Sequence, residues 1–339
     1  LTHLLEVNNL QVNFKTYGGE VKAVRDVSFH LDKGEILAIV GESGSGKSVT
    51  VQTLMGLIPT PPGKIKNGEI LFEGQDLLKL SKKAMRQVKG SKMSMVFQDP
   101  MTSLNPTMKV GKQIEESILT HQNVSKSEAK EKAIEMIRLV GINNPQERHG
   151  QYPHEFSGGM RQRIMTAIAL ACRPDILIAD EPTTALDVTI QAQVLDLMKD
   201  LKDDLDTSIL LITHDLGVVA ETAERVAVMY GGVIVETGTV EEIFENPRHP
   251  YTWGLLESIP DVTGDEKKRL LPIEGSPPDL FSPPKGCPFA PRCKFAMEIC
   301  AEEMPPPFEA GDGHEAKCWL NDPRAPQVED LIAAGREPS

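Results

Sequence analysis

Gly41-Glu42-Ser43-Gly44-Ser45-Gly46-Lys47-Ser48 follows the apolar run Glu35-Ile36-Leu37-Ala38-Ile39-Val40 and precedes a helical stretch, Val49–Leu57. The octapeptide fits G-x-x-x-x-G-K-[ST], and strand, loop and helix in that order are the setting the motif requires. Its glycines let successive backbone N–H groups curl around phosphates at a helix N-terminus. In such a loop Lys47 reaches the β- and γ-phosphates of a nucleotide and the Ser48 hydroxyl ligates Mg²⁺. Gly41, Ser43, Gly44, Ser45, Gly46 and Val49 complete the cradle.

Outward from this loop, three more apolar runs read as strands buried on both faces: Met93-Ser94-Met95-Val96-Phe97, Ile176-Leu177-Ile178-Ala179-Asp180 and Ser208-Ile209-Leu210-Leu211-Ile212-Thr213. Such strands belong in a helix-covered sheet, so an α/β fold with a parallel-rich core is expected. Asp180 and Glu181 stand at the C-terminal end of one strand, where ligands of open α/β sheets gather. There Asp180 suits Mg²⁺ and Glu181 suits proton abstraction from an attacking water. An acidic pair opening a helix is the plainer alternative. Between Gln98 and Gly159 the strand signal gives way to helix. Ser125-Lys126-Ser127-Glu128 forms a capping box, and Ala133, Met136, Ile137 and Val140 recur at helical spacing until Gly141 stops the run. A helical insertion over about residues 98–160 follows.

Thirteen of the 25 prolines lie between Pro247 and Pro307. Regular helix is not expected there, and the chain divides into a nucleotide-binding domain, 1–245, and a small proline-rich, loop-rich C-terminal region, 246–339. Four of the five cysteines fall in that region: Cys287, Cys293, Cys300 and Cys318, with five, six and seventeen residues between successive thiols. No C-x-x-C knuckle is present. In a reducing compartment four clustered thiols suggest a metal, either Zn²⁺ or an iron–sulfur cluster, with free thiols packed as small hydrophobes as the alternative. Cys172, alone in a helix, reads as a core residue. The formal net charge of −13 argues against nucleic acid as a partner. No apolar run reaches the ~18 residues of a membrane span. The stretch Leu1–Val7 lacks the basic and apolar regions of a secretory signal, so a cytosolic chain is expected.

A second glycine motif, Phe156-Ser157-Gly158-Gly159-Met160 followed by Arg161-Gln162-Arg163, precedes the Asp180-Glu181 strand. Ser157 and the amides of Gly158 and Gly159 open a helix and form an anion site of their own. With this motif in place, the first 245 or so residues resemble the ATP-binding cassette (ABC) family. The family pattern usually has Leu and Gln where Phe156 and Met160 stand; since the serine and glycines make the phosphate contacts, ATP binding should be unaffected. The resemblance implies that Gln98 touches Mg²⁺ and the attacking water, and that His214 contacts the γ-phosphate and keeps the catalytic geometry with Glu181. It implies that Asp187, in Ala185-Leu186-Asp187, connects the two sites of a dimer. It also implies that Tyr17 stacks on adenine, with Phe14 as the other candidate. Two cassettes would pack head to tail, Ser157, Gly158 and Gly159 of one closing over ATP held by Lys47 and Ser48 of the other. The loop Asp99–Pro106 would face membrane subunits.

From about Asn246 the sequence resembles, more narrowly, the ATPases of oligopeptide/dipeptide importers. The carrying residues are Pro247-Arg248-His249-Pro250-Tyr251-Thr252, Pro272-Ile273-Glu274-Gly275-Ser276-Pro277-Pro278 and the cysteine run from Cys287-Pro288-Phe289-Ala290-Pro291-Arg292-Cys293 onward. This implies an ATP-hydrolysing motor for peptide uptake at the cytoplasmic face of the membrane. It implies a second, related ATPase chain, two permease subunits and, indirectly, an extracellular peptide-binding protein. The four cysteines would hold a [4Fe–4S] cluster, as a structural staple or a redox sensor. Two alternatives stay open: nickel or another small solute as cargo, and a soluble ABC ATPase acting on ribosomes or DNA. A single cassette and an acidic balance oppose the second.

Overall fold

The computed structural model describes residues 3–98, 103–182, 188–259, 273–311 and 313–328. Its contacts divide the chain into two units, each assembled from separated stretches. One draws on Leu1–Leu4, Leu31–Ile36 and Phe72–Ile212, the other on Leu5–His30, Leu37–Leu71 and Thr213–Ser339.

In the first unit the strands Met93–Val96, Ile176–Asp180 and Ser208–Thr213 lie side by side in parallel, Met93 opposite Ile176 and Ile176 opposite Ser208. Every residue of the three is buried, the burial that their unbroken apolar character demands. The helical insertion is also here. Helices Val110–His121, Lys126–Leu139 and Gly158–Leu170 join Val110, Ile114, Ile118, Ala133, Ile137 and Ile164 in one apolar core. Ser125 caps the middle helix by accepting the Glu128 N–H at 3.2 Å, and Gly141 leaves it in a left-handed conformation at φ +71°.

The second unit holds the phosphate-loop motif. Its strands run in the order Gly63–Phe72, Leu5–Thr16, Gly19–Leu31, Val233–Thr239, Arg225–Tyr230 and Ile36–Val40. Val233–Thr239 pairs antiparallel with both Arg225–Tyr230 and the short strand His314–Ala316. It pairs in parallel with Gly19–Leu31, and Ile36–Val40 runs parallel to Arg225–Tyr230. This sheet is mixed, where a parallel-rich one was expected. The difference arises at Val233–Thr239, which follows Arg225–Tyr230 after only Gly231 and Gly232, both at positive φ, and so turns back to pair with it antiparallel.

The proline-rich stretch also departs from expectation, because it contains a helix, Pro250–Glu257, and a shorter one, Glu298–Glu302. Pro250 occupies the first helical position, where its fixed φ helps and its missing N–H costs nothing. His249 caps the same helix by accepting the Tyr251 N–H at 3.0 Å through Nδ1. Beneath it Glu236, 1% exposed, accepts the N–H groups of Arg248 and His249 at 2.6 and 3.1 Å, the Thr252 hydroxyl at 2.5 Å and His314 Nε2 at 2.9 Å. One buried carboxylate thereby ties three segments together. Among the described residues, no helix is long and apolar enough to cross a membrane.

Candidate functional site

The loop Gly41–Ser48 joins the buried strand Ile36–Val40 to the helix Lys47–Leu54, as its motif requires. Two of its glycines are dictated by packing. A Cβ on Gly41 would lie 2.1 Å from the Met229 carbonyl oxygen, and one on Gly46 would lie 2.5 Å from that of Ala23. Both residues also have positive φ, +152° and +104°, so a side chain is excluded twice over. No side-chain cap occupies the N-terminus of the helix. Ser43 and Gly44 are exposed, Ser48 and Val49 half-buried, and Ser45 and Lys47 buried. The Lys47 ammonium folds back on the loop, donating to the carbonyls of Gly41 at 2.6 Å and Glu42 at 3.0 Å. The loop can therefore cradle an anion with its amides while holding a cation in reserve.

Residues that the sequence reading did not single out hold this loop from behind. The Glu42 N–H donates to the Tyr251 hydroxyl at 2.8 Å. The Glu42 carboxylate receives a bidentate fork from Arg292, Nη1 at 2.6 Å and Nη2 at 3.1 Å. Nη1 also donates to the Tyr230 hydroxyl at 3.0 Å. Burial alone would lower the Arg292 pKa, but its bonds to Glu42 and Tyr230 outweigh burial and raise it. Both Tyr251 and Arg292 lie inside motifs quoted above, yet nothing in local spacing marks either as a partner of Glu42.

In the other unit, Glu181 follows the strand Ile176–Asp180 in a left-handed conformation, φ +48°, and its N–H donates to the Ile212 carbonyl at 2.8 Å. Such a backbone is costly for a residue with a side chain and is found where surrounding structure imposes it. Asp180, the residue before, is buried at 5% exposure. Gln98, exposed at the end of Met93–Val96, donates its amide Nε2 to Glu181 Oε2 at 2.8 Å. Two residues expected to share the attacking water are thus brought together. Ser157 caps the helix Gly158–Leu170, accepting the Met160 N–H at 3.3 Å. Ser157 and Gly158 are exposed, and a Cβ on Gly158 would meet nothing within 4 Å. Phe156, by contrast, is buried in the helical core.

His214 is exposed directly after Thr213, and the next residue, Asp215, caps the helix Leu216–Thr222. Tyr17 is fully exposed in the turn between Leu5–Thr16 and Gly19–Leu31. Asp187, with Ala185 and Leu186, lies outside the described residues, as do Asp99–Thr102 of the loop expected to face membrane subunits.

Cys287, Cys293, Cys300 and Cys318 line one small cavity together with His249, Phe289, Phe295 and Trp319. None is in a disulfide, and three are buried. The Cys287 N–H donates to the Cys300 carbonyl at 2.8 Å, and Gly286 permits this close approach to the helix Glu298–Glu302, since a Cβ there would sit 2.2 Å from that oxygen. Burial pushes the Cys287 thiol up to about 11, with Cys300 adding to it, and burial raises Cys318 as well. Burial pulls His249 down to about 4, leaving it neutral, against the smaller opposing influence of Glu236. Cys172, expected within a helix as a core residue, instead lies in the turn just past the helix Gly158–Leu170, half-buried, and donates to the Ser117 carbonyl at 3.6 Å.

Known proteins carry both halves of this arrangement. Residues 24–184 match the family described as ABC transporter, and residues 235–300 match the one described as oligopeptide/dipeptide transporter, C-terminal region. The oligopeptide transport ATP-binding protein OppD of Bacillus subtilis (strain 168) is 64% identical over 97% of this chain and 92% of its own length. The dipeptide transport ATP-binding protein DppD of the same organism is 58% identical over 95% and 96%. Among solved structures, a dimeric post-hydrolysis state of the ATP-binding cassette MJ0796 bound to ADP and Pi matches with a TM-score of 0.63 at 25% identity, covering 70% of this chain and 98% of that one. The cbiO1 protein of Clostridium perfringens, part of the ABC transporter complex cbiONQ, matches with a TM-score of 0.63 at 26% identity over 73% and 92%. The chain belongs to the ABC transporter family of ATP-binding proteins.

Proposed function

We propose that this chain is the ATP-hydrolysing motor subunit of an importer for oligopeptides or dipeptides. One observation carries the reading: 64% identity to an oligopeptide transport ATP-binding protein runs through 97% of the chain, cysteine region included. The loop Gly41–Ser48 binds the phosphates of ATP, with Lys47 turning from the loop carbonyls to the β- and γ-phosphates. Ser48, Asp180 and Gln98 supply oxygen donors of the kind Mg²⁺ prefers, and the bound ion would neutralise charge developing on the transferred phosphoryl group. Glu181 takes the proton of the attacking water, Gln98 orients that water and His214 contacts the γ-phosphate. Tyr17, exposed as a stacking surface, takes the adenine ring.

Ser157, Gly158 and Gly159 close over ATP held by a second cassette, probing the γ-phosphate from the other side, and Asp187 links the two sites. The dimeric MJ0796 cassette supports this arrangement. A ligand shifts a conformational equilibrium only by its differential affinity, so losing the γ-phosphate removes what favoured the closed pair. The second cassette is a related chain, two permease subunits receive the stroke at the cytoplasmic face of the membrane, and an extracellular peptide-binding protein delivers cargo. In the division we favour, the cassette is 1–245 and an appended region follows from 246.

Cys287, Cys293, Cys300 and Cys318 would hold a [4Fe–4S] cluster. The donor set fits: four thiols face one cavity, and none is oxidised to a disulfide. A bound cluster would supply a cross-link for a segment poor in apolar core, and one-electron chemistry if it is exposed to oxidants.

The test is uptake of a labelled three- to five-residue peptide by cells whose only copy is the wild-type chain or Glu181→Gln. Uptake lost in the mutant supports the motor and its cargo. Unchanged uptake with an expressed, assembled mutant would send the search to another solute.

A further inference from the structure

The phosphate loop carries a carboxylate of its own. Glu42 directly follows Gly41, and an unneutralised negative charge in that place repels a triphosphate. In this chain it is neutralised by a residue 250 positions away, through the bidentate Arg292 fork. Arg292 is 5% exposed in its side chain and Glu42 28%, so water screens this pair poorly. The rest of the guanidinium is fully committed. Nε donates to the Glu274 carbonyl at 2.8 Å and Nη2 to that of Ile273 at 3.0 Å, and the group lies 5.7 and 5.8 Å from the ring centroids of Tyr230 and Phe289. Those rings pack with Tyr251, at centroid separations of 4.4 to 5.4 Å, and Tyr251 is the acceptor for the Glu42 N–H. Both the backbone and the side chain of Glu42 are therefore fixed from the C-terminal segment.

Arg292 is placed by the turn that bears the first two cysteines of the cluster. Ala290 N–H donates to the Cys287 carbonyl at 3.1 Å, Arg292 N–H to that of Phe289 at 2.9 Å and Cys293 N–H to that of Ala290 at 3.3 Å. The guanidinium cannot shift far without the turn moving with it.

We propose that Arg292 is a positioning residue for nucleotide binding: it neutralises and orients Glu42 so that the phosphate loop accepts a triphosphate, and the cysteine-bearing turn keeps it there. The inference rests on Gly41–Ser48 being the nucleotide site. It makes the C-terminal segment part of the ATP site and gives the sign of each substitution. Arg292→Gln leaves a bare carboxylate in the loop; Glu42→Gln removes the charge itself; the double variant removes both.

The test is the dissociation constant of Mg²⁺ with a non-hydrolysable ATP analogue, measured calorimetrically on full-length wild type, Arg292→Gln, Glu42→Gln, the double variant and Arg292→Lys. Pairs in direct contact couple strongly, so Arg292→Gln is expected to weaken binding about tenfold, while Glu42→Gln and the double variant stay within about threefold of wild type. Arg292→Lys, with the charge but not the fork, falls between. A double variant as weak as Arg292→Gln, or an Arg292→Gln protein that binds like wild type, overturns the proposal. If Arg292→Gln does not fold, the comparison of Arg292→Lys with Arg292→Lys/Glu42→Gln decides it by the same rescue. Lys47→Ala separates the two levels: a variant that binds as well as wild type removes the loop from the nucleotide site altogether.

Discussion

Gln98 donates its side-chain amide to Oε2 of Glu181 across 2.8 Å, joining the end of one buried strand to the residue that follows the next. The left-handed backbone at Glu181 aims the carboxylate at this partner instead of continuing the strand. In the role proposed for Glu181, a base held by an amide would keep its position before water arrives, the preorganisation that general-base catalysis needs. Glu181→Gln is therefore expected to slow phosphate release by about 100- to 10,000-fold while leaving ATP affinity near that of wild type. Phosphate release together with filter binding of labelled ATP checks it; parallel loss of both would point to a folding defect.

Lys47 is buried and held by two loop carbonyls. If Lys47 grips the phosphates as proposed, Lys47→Ala removes charge-assisted bonds worth about 3 kcal/mol to a bound triphosphate, and ATP affinity should fall about 100-fold. The melting temperature without nucleotide serves as the control and should move little.

Gly158 offers a cleaner separation of folding from function. A Cβ there meets nothing within 4 Å, so Gly158→Asp should fold normally. In the proposed arrangement its carboxylate would nevertheless stand where a partner's γ-phosphate is read, and we expect ATPase activity of the assembled complex to fall about 100-fold or more. Thermal melting and nucleotide binding to the isolated chain should be unchanged; a melting temperature lowered along with activity would favour a purely structural glycine.

The four thiols give an analytical prediction. Protein purified without oxygen should contain iron and acid-labile sulfide in about equal amounts, about four of each per chain, and Cys300→Ser should lose most of both. Zinc without sulfide would replace the cluster by a different metal.

Much of the local structure of the candidate site was legible because its signals are local. Gly41–Ser48, the strand ending at Asp180 and the serine–glycine helix start each declare themselves within about a dozen residues, and the structure builds each as a loop, strand end or capped helix. The capping of Lys126–Leu139 by Ser125 was readable for the same reason. What escaped was the support of these parts. Nothing near Glu42 names Arg292, because the pair spans 250 residues and the match is made by the fold. The strands Leu5–Thr16 and Gly19–Leu31 escaped because one solvated face breaks their apolar runs. Pro250 was read as a breaker when its place at a helix start makes it a former.

Glu236 shows how much of the second unit's stability is stored in one such unreadable contact. Glu236→Ala strands the buried donors of Arg248, His249, Thr252 and His314 and should cost about 3 to 5 kcal/mol. A lowered melting temperature would fit; an unchanged melting curve would mean that water satisfies these donors.

The second unit takes its chain from widely separated stretches, Leu5–His30 and Leu37–Leu71 with Thr213 onward, and the strand pair Phe308–Gly311 with His314–Ala316 joins Val233–Thr239. During synthesis the phosphate loop leaves the ribosome early, but Tyr230, Tyr251 and Arg292 follow only after the whole helical insertion has emerged. Contacts of such long sequence separation form late and slowly. A nascent chain stopped short of Arg292 therefore presents the loop without its counter-charge, and the roughly tenfold of affinity assigned to that charge is gained only once the cysteine-bearing turn has been made.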